Sequence, residues 1–182
     1  MERENRKTVI DYNHTTMRTN ADNVRYSLEN IGNTMLFVIG VNPSTATDKK
    51  ADSTTRKVIG FAEHNGFDGF AIMNLYPLRS KNPYALPPIM AEELYQRNLA
   101  EIKGVIGNRS NPVILLAFGN SINAAPYLKK CLKDIVAMLQ PLFPKWKQIG
   151  NLTKRGNPRH PSRAAYALKL QDFDMSSFLY NC

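Results

Sequence analysis

The chain has little of what most recognisable catalytic or metal-binding motifs are made from. Its 182 residues include only two cysteines, Cys131 and Cys182, too far apart for any metal-ligand spacing. Cys131 falls in an apolar helical pattern and reads as core, and such sparse cysteine usage suits a reduced, cytoplasmic setting. The three histidines, His14, His64 and His160, are scattered, and no Asp, Glu or His pair has ligand spacing. No metal and no cofactor is therefore expected. A Gly-x-Ser-x-Gly elbow, a P-loop and a dinucleotide glycine fingerprint are all missing. No apolar run approaches the roughly 20 residues of a membrane span. The N-terminal stretch MERENRKTVIDYNH has no apolar region of the kind a signal peptide needs, so neither a membrane nor export is expected.

What is abundant is positive charge. The net charge is +9, and between Lys129 and Lys169 ten Lys and Arg residues face one acid, Asp134. Such a field favours polyanions, nucleic acid above all, or nucleotides and phosphorylated small molecules. The sequence carries no signal of an oligomeric state.

The chain is organised around Met35 to Ala46, MLFVIGVNPSTA. Its apolar run is too short for a helix and rich in branched residues, as a buried strand is. It breaks at Gly40 into the turn Asn42-Pro43-Ser44-Thr45, and Asp52 or Ser53 caps a helix from about Thr54 to His64. Gly69 to Met73 is the next buried strand, parallel to the first through a right-handed crossover. A proline-rich loop over Tyr76 to Pro88 precedes a helix from about Ile89 to Ile106. The strand Val113 to Ala117 follows, and then a helix over Ile122 to Leu139 that Pro126 delays or kinks. Trp146 to Ile149 forms a fourth strand, which feeds the basic loop Gly150 to Arg163. Residues 1–24 read as an N-terminal arm or edge element. Arg25 to Leu28 reads as a strand in a hairpin with Met35 to Ile39, and no element is expected beyond Tyr166. Residues 25–182 are thus expected to form a single α/β domain, a three-layer α/β/α sandwich on a mostly parallel four-stranded sheet.

If those strands are parallel, their polar ends share one edge and form one cleft, where such sheets place ligands. Asn42, Asn74 and Asn120 can each present a donor and an acceptor to a nucleobase edge. Ser44, Thr45 and the helix start at Thr54 can bind an anion, and Arg56 and Arg79 can pair with phosphate or with Asp52. His160 lies in Asn157-Pro158-Arg159-His160-Pro161-Ser162, held between two prolines, and is a candidate electrophile or general acid. Lys154, Arg155, Arg159 and Arg163, with Ser162, would hold a phosphate, and the arginines would disfavour the imidazolium through like charge.

The segments GVNPSTA, ADSTTRKVIGFAEHNGF, MNLYPLRSKNP, LLAFGN and GNLTKRGNPRHP resemble, in order over roughly Arg25 to Pro161, a widespread bacterial and phage family. That family has no assigned function and carries an LNPSTAD signature. Thr47 and Leu99 stand where it usually has Asp, and Asp48 can substitute for the first. More distantly, the layout is similar to the uracil-DNA glycosylase superfamily, through Gly40-Val41-Asn42-Pro43 and His160-Pro161-Ser162. That resemblance implies that Asn42 orients the attacking water, as in mismatch-specific members, and that His160 faces the base carbonyl. Gly40 and Pro43 would shape the loop. Phe61, Phe70, Tyr76 or Phe118 would stack the base, and Tyr166 is the one candidate wedge. Three readings stay open: a DNA N-glycosylase-like hydrolase, a non-catalytic nucleic-acid or nucleotide-binding module, and an enzyme acting on a small phosphorylated substrate.

Overall fold

The computed structural model describes residues 9–182 and shows an α/β fold with a seven-stranded mixed sheet and four helices. The strands are β1 (Thr16–Arg18), β2 (Ser27–Asn30), β3 (Met35–Gly40), β4 (Gly69–Asn74), β5 (Val113–Leu116), β6 (Lys145–Ile149) and β7 (Leu170–Asp172). Their order is β1-β2-β4-β3-β5-β6-β7, and the four central strands are mutually parallel. These four are the ones the apolar runs predict. The sheet is larger than four strands because β1 and β2 extend one side and β7 the other, all antiparallel.

Apolar residues run unbroken through β3 because both of its faces are covered. Leu36 and Val38 pack with Val58, Phe61 and Ala62 of α1 (Ser53–His64). Phe37 and Ile39 belong to the larger cluster with Ile102 and Ile106 of α2 (Glu92–Ile106) and Leu132 and Ile135 of α3 (Leu128–Leu139). The third helix starts late: Gly119–Asn123 form a 3-10 turn, and α3 begins only after Pro126, which cannot donate within a helix. The second helix also starts later than expected, at Glu92.

Two further expectations are corrected. β2 does not form a hairpin with β3; it pairs with β4, and the link from Ile31 to Thr34 crosses the start of β4 to reach the far side. Two glycines make that crossing possible. A Cβ on Gly69 would collide with the Gly32 amide nitrogen and stand 2.7 Å from the Asn30 carbonyl, and one on Gly32 would stand 2.6 Å from the Asp68 backbone. The tail beyond Tyr166 does contain elements, β7 and α4 (Met175–Tyr180); the ring of Phe173, between them, and that of Phe178 in α4 pack edge to face at 5.3 Å on the α3 side of the sheet. Of the expected arm, residues 1–8 lie outside the described residues, while Thr16–Arg18 is an edge strand. Among the described residues no helix is long and apolar enough to cross a membrane.

Candidate functional site

A cleft of about 660 Å³ opens at the carboxyl ends of the central strands. The chain leaves β3 toward α1 on one face and leaves β5 toward α3 on the other, so the loops diverge there and leave a crevice between them. The cleft brings together Gly40, Asn42 and Ser44 after β3, Asp52 and Thr54 at the start of α1, and Asn74 at the end of β4. Asn120, Arg159, His160, Ser162 and Arg163 complete its far wall. The remaining expected residues lie elsewhere. Pro43 is buried within the turn, and Thr45 and Arg79 line a separate groove near Met17. Arg56 is exposed and turns back onto the Ala51 carbonyl at 2.7 Å, pairing with neither Asp52 nor the cleft. Lys154 and Arg155 are exposed outside the cleft.

Asn42 is fixed by its amide nitrogen. Nδ2 donates to the carbonyls of Pro43 at 3.0 Å and Ser80 at 2.9 Å. Carbonyl oxygens can only accept, so they identify the nitrogen end and leave Oδ1 as an acceptor beside the cleft. Asn74 sits directly across from Gly40 in the paired strands. A Cβ at position 40 would come within 2.8 Å of Asn74 Oδ1, so the glycine makes room for this amide. Asn74 is 2% exposed, and its Nδ2 is buried with no hydrogen-bond partner among the described residues. A buried donor left unpaired is costly, and Asn74 lines the cleft, so a water or a bound ligand there is the acceptor open to it. Asn98, fully buried on α2, holds the adjoining backbone by donating to the Asn74 carbonyl at 2.9 Å.

His160 is presented by a braced loop. Asn120 Oδ1 accepts from Thr153 Oγ1 at 2.9 Å and from Asn157 Nδ2 at 3.0 Å, so Asn120 anchors the basic loop rather than standing free. Gly119, at φ +56°, lets the β5 loop pass His160: a Cβ there would lie 3.1 Å from that of His160. The Ser162 backbone N–H donates to His160 Nδ1 at 3.2 Å, and Ser162 Oγ lies 2.9 Å from the same nitrogen. An accepting Nδ1 leaves the proton of the neutral ring on Nε2. Solvent reaches the ring through the cleft mouth, yet the surrounding walls desolvate it and lower its pKa, with Asp52 opposing. Desolvation, not repulsion by the neighbouring arginines, is the cause, which corrects the expectation from charge alone. Arg159 is partly committed as well, its Nε donating to the Asn151 carbonyl at 2.7 Å.

Asp52 closes the start of α1. Its Oδ1 accepts from the Thr55 N–H at 2.8 Å and its Oδ2 from the Ala46 N–H at 3.3 Å, so one carboxylate caps the helix and ties down the Asn42 turn. A phosphate at this helix start would face that carboxylate, and of the Ser44-Thr45-Arg56 group expected from the sequence only Ser44 lines the cleft. Asp52→Ala is expected to cost about 1–2 kcal/mol, read as a lower urea midpoint.

The stacking candidates do not reach the cleft as rings. Phe61, Phe70 and Tyr76 are core residues, and Phe118, though at the cleft wall, is fully buried and tilts against Phe178. Tyr166 is no free wedge: it stacks on His64 at 4.8 Å, meets Phe61 edge-on at 5.1 Å and takes Lys57 Nζ over its ring. The apolar wall is instead aliphatic, from Val38, Val58, Ile72 and Leu168. One cleft residue carries no sequence signal at all. Arg25 is 3% exposed, and its pKa is held down to about 10 by burial and by Arg79, with Asp52 opposing. Among the described residues no group of His, Cys, Asp or Glu side chains converges to hold a metal ion.

Residues 25–162 match the family model described as "Protein of unknown function (DUF1643)", and the chain belongs to that family. No curated protein and no solved structure matches it.

Proposed function

We propose that this member of the family binds a nucleobase in the cleft, as part of a nucleic acid or nucleotide, and hydrolyses the N-glycosidic bond that carries it. The observation that carries this reading is the buried, unpartnered Asn74 Nδ2. A base carbonyl or ring nitrogen is the acceptor it lacks, and the aliphatic wall suits a flat apolar face. The volume of about 660 Å³ lies within the usual range for small-ligand sites.

The chemistry follows from two residues on opposite walls. Asn42 Oδ1 accepts a hydrogen bond from a water and aims its oxygen at the sugar C1′. An amide orients water without taking its proton, so departure of the base leads and the water follows. As the C1′–N bond breaks, its electron pair moves into the base, and the Nε2–H of neutral His160 donates to the base oxygen where charge collects. The incoming water loses its proton to solvent or to the departing base. The resemblance of the Asn42 and His160 loops to the uracil-DNA glycosylase superfamily supports this assignment, and the net charge of +9 supports a nucleic-acid substrate.

The test is a titration of the protein with free uracil and hypoxanthine, followed by the side-chain amide resonances. One side-chain amide pair is expected to shift saturably, and the same pair should be missing in Asn74→Leu. No saturable shift at millimolar base would overturn the reading.

A further inference from the structure

Arg25 is a buried cation that the protein itself does not neutralise. Its Nη1 donates to the Ala46 carbonyl at 2.9 Å, while its buried Nε–H has no partner among the described residues. It takes no part in any ion pair among those residues. Asp52 is the acid that acts on it, but both Asp52 oxygens already accept backbone N–H groups. Arg79 works in the other direction. Its Nη1 donates to the carbonyls of Ser44 at 2.7 Å and Ala46 at 3.0 Å, so two guanidinium groups meet on one carbonyl oxygen.

A brace for the Asn42 turn does not account for Arg25, because Arg79 already supplies it from the exposed side. Burial of an unpaired guanidinium is unfavourable, and a neutral amide donor would make the same bond to the Ala46 carbonyl at lower cost. What distinguishes Arg25 is where it faces. It lines the same cleft as Asn42, Asn74 and His160, and the edge formed by Nε and Nη2 is the one left without protein acceptors. That edge is the fork that meets two oxygens of a phosphate.

We propose that Arg25 is a phosphate-binding residue at the floor of the cleft, its Nε–H and Nη2–H taking two oxygens of a phosphate group on the ligand. The phosphate can belong to a free nucleotide or to the backbone of a strand drawn into the cleft; the chemistry at Arg25 is the same. The inference needs neither base reading nor hydrolysis, so inorganic phosphate tests it apart from the proposed function.

The experiment uses the full chain and follows arginine Nε–H resonances and the melting temperature. Inorganic phosphate is expected to shift one slowly exchanging Nε–H signal saturably and to raise the melting temperature. Both effects should be absent in Arg25→Met, and Arg25→Lys should weaken binding by about tenfold or more because the fork is lost. Uridine monophosphate acting at lower concentration than a short single strand assigns the phosphate to a free nucleotide; the reverse order assigns it to a strand. If phosphate, nucleotide and strand all leave the Nε–H signals unmoved, the proposal is wrong. A phosphate effect undiminished in Arg25→Met also overturns it. Should that variant not fold, the wild-type signal decides, identified by its proximity to the Ala46 backbone.

Discussion

His160→Ala is expected to slow base release by about 10²–10³-fold, the usual loss when one donor to a developing oxyanion is removed. Stability should change little, because the side chain faces the cleft and its hydrogen bonds are to Ser162, two residues away. His160→Gln, which can still present an N–H, should recover part of the rate. The pH profile separates this role from a general acid. The His160 pKa lies below its ordinary value, so the ring is neutral through the neutral range and the rate should be flat there. Protonation at Nδ1 would turn an acceptor into a donor facing the Ser162 N–H, so the rate should fall only on the acid side. A general acid would give the opposite limb, with activity rising as the ring gains its proton. The sign for stability agrees: with a depressed folded-state pKa, the contribution of His160 is present above the ordinary histidine value and is lost as pH falls toward the lowered one.

Gly69→Ala should be the most disruptive single methyl group in the fold. The added carbon would meet the Gly32 nitrogen, the Met35 sulfur at 2.6 Å and the Asn30 carbonyl at 2.7 Å. The thioether can swing away, but the other two are backbone and cannot move without opening β2 from β4. We expect a loss of about 3 kcal/mol, or a melting temperature lower by roughly 6–12 °C. Gly66→Ala is the control. It stands at φ +80° with nothing within 4 Å, so it should cost only about 1 kcal/mol of left-handed strain. Equal effects at the two positions would show that the crossing over β4 is not tightly packed.

The same crossing shows why part of the fold is hidden in the sequence. Three of the central strands, β3, β4 and β5, are legible because they are short and apolar on both faces, and β6 because Trp146 and Ile149 stand out between polar residues; the polar turns that follow them locate the cleft edge. β2 is legible only in part: a strand is read over Arg25 to Leu28, but the observed one runs on through Glu29 and Asn30, buried polar residues whose partners include Arg18 and Thr15 in a neighbouring strand and turn. Local patterning says nothing about which strand it pairs with, and the short link to β3 suggests the wrong one. β7 is three residues long and largely exposed, too little for any periodicity.

For the site, Asn42, Asn74 and His160 were legible because they follow apolar runs or sit between prolines. Arg25 was not, because a single arginine beside a strand looks like any surface charge until its burial is known. Charge counting also overreached: Lys154 and Arg155 belong to the basic run but lie outside the cleft. Arg56 and Arg79, read from the sequence as partners for a phosphate or for Asp52, donate to backbone carbonyls instead.

The most direct measurement is single-turnover base release from single-stranded and duplex oligonucleotides carrying uracil, hypoxanthine, or G·U and G·T mismatches, comparing the wild type with Asn42→Ala. Release by the wild type from at least one of these substrates, and its loss in the variant, is the expected result. Binding without release from any substrate, or release that survives Asn42→Ala, would contradict it.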